Sequence, residues 1–323
     1  MTATTPTQDS PWLVADVGGT NARFALVQGT CGVPKRIQSL VCSDYPGLAE
    51  ALEAYLSDSG GARPVQAAIA VATAGAEDWV QLRNQPWGFS QTALRQRFHL
   101  QRLLVLNDFT ALALSIPHLA GAGLRQVGRG APQSGSAIAV VGPGTGLGVS
   151  GLVPYGDRWL PLSGEGGHVS YGGMDEHENE LLRLVRERYG HVSAERLLSG
   201  PGLVNLYQAS AERAGLPAEE VSPVEISGHG LQGVQPFAQV LEQFCGILGT
   251  VAGNLALTLG AAGGVYVGGG IVPRLGHFLD RSSFRTRFEA HGRLSAWLET
   301  VPTYVIQAPN PALTGAARAL FSS

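Results

Sequence analysis

The chain has 323 residues, of which 44% are hydrophobic and 15% charged, with a formal net charge of −3. That length exceeds what one hydrophobic core usually supports, which points to two lobes, and the composition is too apolar for a disordered protein. The weak negative charge and the lack of any basic run argue against nucleic acid or an anionic membrane as a partner.

The three cysteines, Cys31, Cys42 and Cys245, are widely spaced and odd in number. Neither a disulfide framework nor a zinc cluster is indicated, and a reducing cytosol fits. The polar first eleven residues lack the basic and apolar regions of a secretory leader, and no segment offers the roughly 20 uninterrupted apolar residues of a membrane span. A soluble, cytoplasmic protein is expected. Lys35 is the only lysine, and its setting, Val33-Pro34-Lys35-Arg36, is neither a Walker A loop nor a kinase strand lysine. If the chain handles a nucleotide, glycine-rich backbone and a metal must hold the phosphates.

In chain order, Trp12 to Val27 reads as strand, glycine turn and strand around Asp16-Val17-Gly18-Gly19-Thr20-Asn21. A plain hairpin explains the paired glycines. It does not explain Asp16 before the turn or the Thr20 hydroxyl after it, whereas a phosphate loop with a carboxylate for Mg²⁺ or its water shell uses both. Ile37 to Ala72 reads as strand, helix, strand, with Leu48, Leu52, Tyr55 and Leu56 at helical spacing. Asp78 to Phe89 is a polar loop holding Asn84 and Trp87, where the aromatic either forms a sugar platform or anchors the loop on the core. Thr92 to Phe98 is a predicted helix.

Leu103-Leu104-Val105-Leu106 then runs into Asn107-Asp108-Phe109. Such a run reads as an interior parallel strand, and ligands collect at the carboxyl ends of such strands. Asn107 or Asp108 also suits the N-cap of the helix predicted from Phe109. Pro132 to Ser136 resembles a linker into the second lobe. Beyond it, Ser136 to Gly151 repeats the first layout, an apolar run and a glycine turn, with Gly144-Thr145 matching Gly19-Thr20. This internal similarity suggests two related halves. The Gly-x-Gly-x-x-Gly spacing of Gly146 to Gly151 is not a dinucleotide fingerprint, because Leu152 to Gly156 cannot continue as the helix it requires.

Leu162 to Ser170 embeds Glu165 and His168 in glycines, a setting for hydroxyl recognition or an ordinary surface loop. Asp175 to Tyr189 is a helix whose acids lead and arginines follow, as its dipole favours. Ser193 to Leu198 is a short helix with Ser193 as cap, Glu195 in its first turn and Gly200-Pro201-Gly202 as a stop. Phe237 to Leu259 is a long periodic helix. It leads to Gly263 to Ile271, a strand ending in Gly268-Gly269-Gly270 that either accepts the nucleoside or phosphate end of a ligand or allows tight packing. Val301 to Ile306 is a late strand and Pro311 to Phe321 a closing helix.

Taken together, Asp16 to Arg23, Leu106 to Phe109, Gly142 to Gly148, Gly164-Glu165-Gly166-Gly167-His168, Ser193 to Arg196 with Ser199 to Gly202, and Gly268 to Ile271 resemble the bacterial glucokinase family. That family belongs to the hexokinase, actin and heat-shock ATPase superfamily, and the lack of a cysteine-rich motif points to its zinc-free branch. The resemblance implies an α/β, two-lobed ribonuclease-H-like fold, with a smaller and a larger domain closing around an active-site cleft. Residues 1–109 with 311–323 would form the small domain and 110–310 the large one.

The implied activity is phosphoryl transfer from ATP to the 6-hydroxyl of glucose, giving glucose 6-phosphate for glycolysis. Carried over, Asp108 is the catalytic base, and Asn107, Asp108, Glu165, His168, Glu195 and Asn84 hold the sugar. Asp16, Val17, Gly18, Gly19, Thr20 and Asn21 form one nucleotide element, and Gly144, Thr145, Gly146, Gly269 and Gly270 the other. Asp16 would hold Mg²⁺ through water. Glucose and ATP are the expected partners and a homodimer the expected assembly. An actin-like ATPase without sugar chemistry and a kinase acting on another hexose are the alternatives.

Overall fold

A computed structural model describes residues 11–28, 32–72, 77–83 and 85–321. They fall into two compact units, one within residues 1–119 and 308–323, the other within 120–307.

The first unit contains β1 (Trp12–Val17), β2 (Asn21–Val27), β3 (Pro34–Val41), α1 (Leu48–Asp58), β4 (Gln66–Val71), the small hairpin of β5 (Trp79–Gln81) and β6 (Gly88–Ser90), α2 (Gln91–Arg97), β7 (Arg102–Asn107) and α3 (Asp108–Ser115). Its sheet has the order β3-β2-β1-β4-β7. The first three strands are antiparallel neighbours, while β1, β4 and β7 run parallel. Alternation along β1 sends Leu13, Ala15 and Val17 into a core shared with α1, and Val14 to the opposite face, against Leu313, Ala316 and Leu320 of the closing helix Pro311–Phe321. Gly315 of that helix meets the Ala111 carbonyl of α3 so closely that a Cβ would collide. This contact ties residues 108–119 to the first unit.

One expectation changes here: β7 is the edge strand rather than an interior one, and its six residues are half-buried, with Leu103 and Val105 against one core and Leu104 and Leu106 against the other.

The second unit contains β8 (Leu124–Val127), β9 (Ile138–Pro143), β10 (Leu147–Tyr155), β11 (Arg158–Ser163), α4 (Glu176–Tyr189), α5 (Gly200–Arg213), α6 (Pro223–Leu231), α7 (Phe237–Leu259), β12 (Val265–Val267), α8 (Phe278–Arg281), α9 (Phe284–Glu289), α10 (Ser295–Thr300) and β13 (Thr303–Ile306). Its sheet order, β11-β10-β9-β12-β13-β8, repeats the five-strand pattern of the first unit with β8 added antiparallel at the edge. The directions repeat as well, β9, β10 and β11 being antiparallel neighbours and β9, β12 and β13 parallel. The internal similarity read from Gly-Thr pairs is thus a repeated topology.

Two local readings are corrected. Pro132 to Ser136 lies within the second unit, between β8 and β9, because residues 124–127 already pair with β13. Gly200-Pro201-Gly202 starts a helix rather than stopping one: Ser199 caps α5 by accepting from the Gly202 amide at 3.0 Å, and proline in the first turn loses no intrahelical bond. Among the described residues, α7 is long and apolar enough by composition to cross a membrane, but 72% of its apolar window is buried inside the protein.

Candidate active site

In the first unit, the parallel strands bring the candidate residues to one edge of the sheet. Val17 pairs with Val71 and Val71 with Asn107, so the carboxyl ends of β1, β4 and β7 stand level. With strands about 4.8 Å apart, the ends of β1 and β7 are separated by about 10 Å. Asn107 is the N-cap of α3, its Oδ1 accepting from the amides of Phe109 (2.9 Å) and Thr110 (3.1 Å). Asp108 follows it, with Oδ1 accepting from the Phe109 amide at 2.8 Å. The capping role therefore falls to Asn107, and the carboxylate is carried on the first helical residue.

Asp16 lies opposite Arg23 on β2, and Arg23 Nη1 donates to Asp16 Oδ2 at 3.2 Å. Burial raises the Asp16 pKa above the ordinary carboxylate value, and Arg23 offsets only part of that. Val17 is buried, whereas Gly19 and Thr20 are exposed at the turn. The Gly18 amide donates to the Asn21 carbonyl at 3.0 Å, and the Cys42 amide donates to the Thr20 carbonyl at 2.8 Å. The Gly18 carbonyl accepts from Gln85 Nε2 at 2.9 Å, with Cys42 Sγ at 3.8 Å. Sequence reasoning misses Gln85, because nothing distinguishes a glutamine in a polar loop.

Asn84 lies outside the described residues. Trp87 does not present a platform: it is buried, and its indole N–H donates to the Tyr45 carbonyl at 3.2 Å, so it anchors its loop.

In the second unit, the turn from β9 to β10 carries Gly144, Thr145 and Gly146, with the Gly144 amide donating to the Gly146 carbonyl at 2.8 Å. Glu195, in a single 3₁₀ turn capped by Ser193, accepts through Oε2 from the Leu147 amide at 2.8 Å. Its other oxygen is 3.9 Å from His168 Nδ1, and His168 Nε2 is 3.9 Å from Glu165 Oε2. These separations are too long for direct hydrogen bonds. The imidazole and its two carboxylates are thus gathered, half-exposed, without being bonded to one another. Ser170 bridges to Ser193, and the Ala194 amide donates to the Val169 carbonyl at 2.9 Å, which holds the His168 loop beside the Glu195 turn.

Gly269 and Gly270 are exposed just after β12. Gly269 has φ +78° and packs on the Pro143 carbonyl so closely that a Cβ would clash. Its role in packing is evident, and the exposed Gly270 leaves room for a ligand beside the turn.

Among the described residues, no group of three or more His, Cys, Asp or Glu side chains could cage a metal. Mg²⁺ does not need one, since it is commonly held by one or two carboxylates, water and substrate phosphates. The single desolvated carboxylate of Asp16 beside an exposed glycine turn fits that mode.

A sequence model of the glucokinase family matches residues 13–322. A glucokinase of Aromatoleum aromaticum is 51% identical over 312 residues, covering 96% of this chain and 94% of that one. Among solved structures, the glucokinase from an Antarctic psychrotroph superposes with a TM-score of 0.89 at 38% identity, over 97% of this chain and 99% of that chain. A Streptomyces griseus ROK family glucokinase in complex with glucose and AMPPNP gives 0.63 at 19% identity, over 96% of this chain and 99% of that one. These likenesses establish the ribonuclease-H-like fold of the actin-like ATPases.

Proposed function

The chain belongs to the glucokinase family, and on that premise we propose which of its residues carry out the ATP-dependent phosphorylation of glucose. The enzyme transfers the γ-phosphoryl group of ATP to the sugar 6-hydroxyl, leaving ADP and glucose 6-phosphate. In this reading Asp108 accepts the proton of the 6-hydroxyl as the oxygen attacks phosphorus. Asn107 orients the sugar beside it, and Glu165, His168 and Glu195 take further hydroxyls, with Asn84 as an additional sugar contact.

The observation that supports the assignment best is the shared carboxyl edge of the first sheet. There Asn107 and Asp108 stand level with the end of the strand that bears Asp16. A candidate base and a candidate phosphate turn thus belong to one rigid sheet, and phosphoryl transfer depends chiefly on such positioning and on neutralising phosphate charge. The exposed backbone from Gly18 to Asn21 offers amides to phosphate oxygens, and Gly144 to Gly146 with Gly269 and Gly270 offers the second such element. Asp16 would hold Mg²⁺ through water, and the ion, when bound, supplies charge neutralisation that no lysine provides here. The half-exposed Glu165, His168 and Glu195 have donors and acceptors not committed to one another, as a polyhydroxylated ligand requires. A cytosolic homodimer supplying glucose 6-phosphate to glycolysis belongs to the same proposal and rests on family membership.

Asp108→Asn tests the assignment. Loss of a general base lowers the rate by about 10² to 10⁴, so kcat should fall by that factor while glucose affinity, measured by calorimetry, changes little. Near-normal turnover in the variant would remove Asp108 from the mechanism.

A further inference from the structure

We propose that Gln85 is a positioning residue that aims the Gly19 N–H at the nucleotide phosphates by holding the Gly18 carbonyl on the opposite side of the peptide. The inference rests on the reading of Asp16 to Asn21 as a phosphate element and goes beyond it, because Gln85 belongs to neither glycine turn.

The argument begins with the peptide plane. The Gly18 carbonyl and the Gly19 N–H belong to one planar trans unit and point in opposite directions. Whatever fixes the carbonyl therefore fixes the amide. Two successive glycines have no Cβ to restrict rotation of that plane, so a bond to its carbonyl from outside the turn fixes what the turn's own bonds leave free. Gln85 Nε2 does this with a 2.9 Å hydrogen bond across 67 residues of chain, and Cys42 Sγ stands on the same oxygen at 3.8 Å. The Gly19 N–H is left directed away from both, at a residue that is exposed.

Gln85 is itself held firmly. It lies in the turn between β5 and β6, which the Leu82 amide closes by donating to the Trp87 carbonyl at 2.9 Å. Gln81 Nε2 donates to the same carbonyl at 3.0 Å, and the Trp87 indole ties the turn to Tyr45. The amide reaching Gly18 is thus delivered by an anchored platform. Gln85 Oε1 is buried without a hydrogen-bond partner. A buried amide half-satisfied in this way is destabilising, a cost that is accounted for if the other half orients a functional amide. An N–H aimed in advance needs no reorganisation when phosphate charge arrives.

The test compares Gln85→Met, which keeps length and volume but removes the donor, with Gln85→Glu, which turns an acceptor toward the Gly18 oxygen. Steady-state kinetics and calorimetric binding of a non-hydrolysable ATP analogue are the readouts, with Thr20→Val as a reference for the turn itself. The expected result for Gln85→Met is a rise of about tenfold in KM for ATP, the worth of one neutral hydrogen bond, with KM for glucose within twofold. Gln85→Glu should raise KM for ATP further, and either variant suffices if the other fails to fold. An unchanged ATP KM in Gln85→Met, or a rise confined to glucose KM, overturns the proposal. If Thr20→Val weakens the ATP analogue while Gln85→Met does not, only the role of Gln85 is wrong. If Thr20→Val leaves the analogue's affinity unchanged, the phosphate reading fails and the proposal with it.

Discussion

The two glycine hairpins occupy equivalent positions in two sheets of the same strand order, yet they differ in how closely their surroundings pack. The first, between β1 and β2, combines backbone bonds from the Gly18 and Cys42 amides with side chains: Arg23 on Asp16, Gln85 on the Gly18 carbonyl, and Cys42 close by. A Cβ on Gly18 would meet only the Asn21 carbonyl, at an ordinary 3.5 Å. The second, between β9 and β10, has the Glu195 side chain on its Leu147 amide and two further bonds from distant backbone. The Gly200 amide donates to the Gly144 carbonyl at 2.8 Å and the Ile271 amide to the Pro143 carbonyl at 3.2 Å. Space around it is tighter: a Cβ on Gly146 would strike the Glu195 carboxylate, and one on Gly269, in the neighbouring turn after β12, the Pro143 carbonyl. One turn geometry can therefore sit in loose surroundings or in close packing that only glycine permits.

Substitution at the glycines should expose the difference. Gly269→Ala is expected to have the largest effect on folding, because it combines a left-handed backbone with a clash against main chain. Such a site costs on the order of 3 kcal/mol, read as a lowered denaturation midpoint. A midpoint within error of the parent would show that the packing around the second hairpin is as tolerant as that around the first.

Asp16→Asn probes the side-chain brace. Burial raises the folded-state pKa of Asp16, so its ionised form is penalised in the folded protein and its contribution to stability declines as pH rises through that pKa. A neutral carboxamide at this position would carry no such penalty. The Asp16→Asn protein, free of ligand, should melt higher than the parent near neutral pH, with the advantage disappearing on acidification, while activity is lost. A variant less stable at neutral pH would mean that the Arg23 pair outweighs burial. Gly18→Ala should have the smallest effect, within about 0.5 kcal/mol in stability, because the added methyl makes only an ordinary contact. A raised KM for ATP without a change in melting would then assign that glycine to the ligand rather than to the fold.

Several elements were legible because their signals are local. The long periodicity of α7, the closing helix Pro311–Phe321 and the paired Gly-Thr turns follow from patterns within a few residues of each other. The candidate site was legible where a motif concentrates unusual residues, as at Asn107-Asp108 and in the glycine-flanked Glu165 and His168. Misreadings arose where local chemistry has two solutions. A Gly-Pro-Gly run can end a helix or begin one, and Ser199 decided for the beginning. An apolar strand can be central or marginal, and only the order of pairing made β7 an edge.

Glu178 illustrates the same limit. In the sequence it is one of several acids suited to the start of α4. In the fold it is buried and accepts from Arg287 Nη1 at 2.7 Å and from the Tyr171 hydroxyl at 3.0 Å, partners 109 and 7 residues away.

By itself the sequence determined the class of the fold, its internal repeat and the residue types from which a sugar kinase is assembled, because periodicity, turn chemistry and motif composition are short-range properties of the chain. Only the tertiary structure decided which strand lies at an edge and which side chain holds the Gly18 carbonyl. Those are pairings between distant segments, and the hydrogen bond from Gln85 to Gly18 exists only once the chain between them has folded.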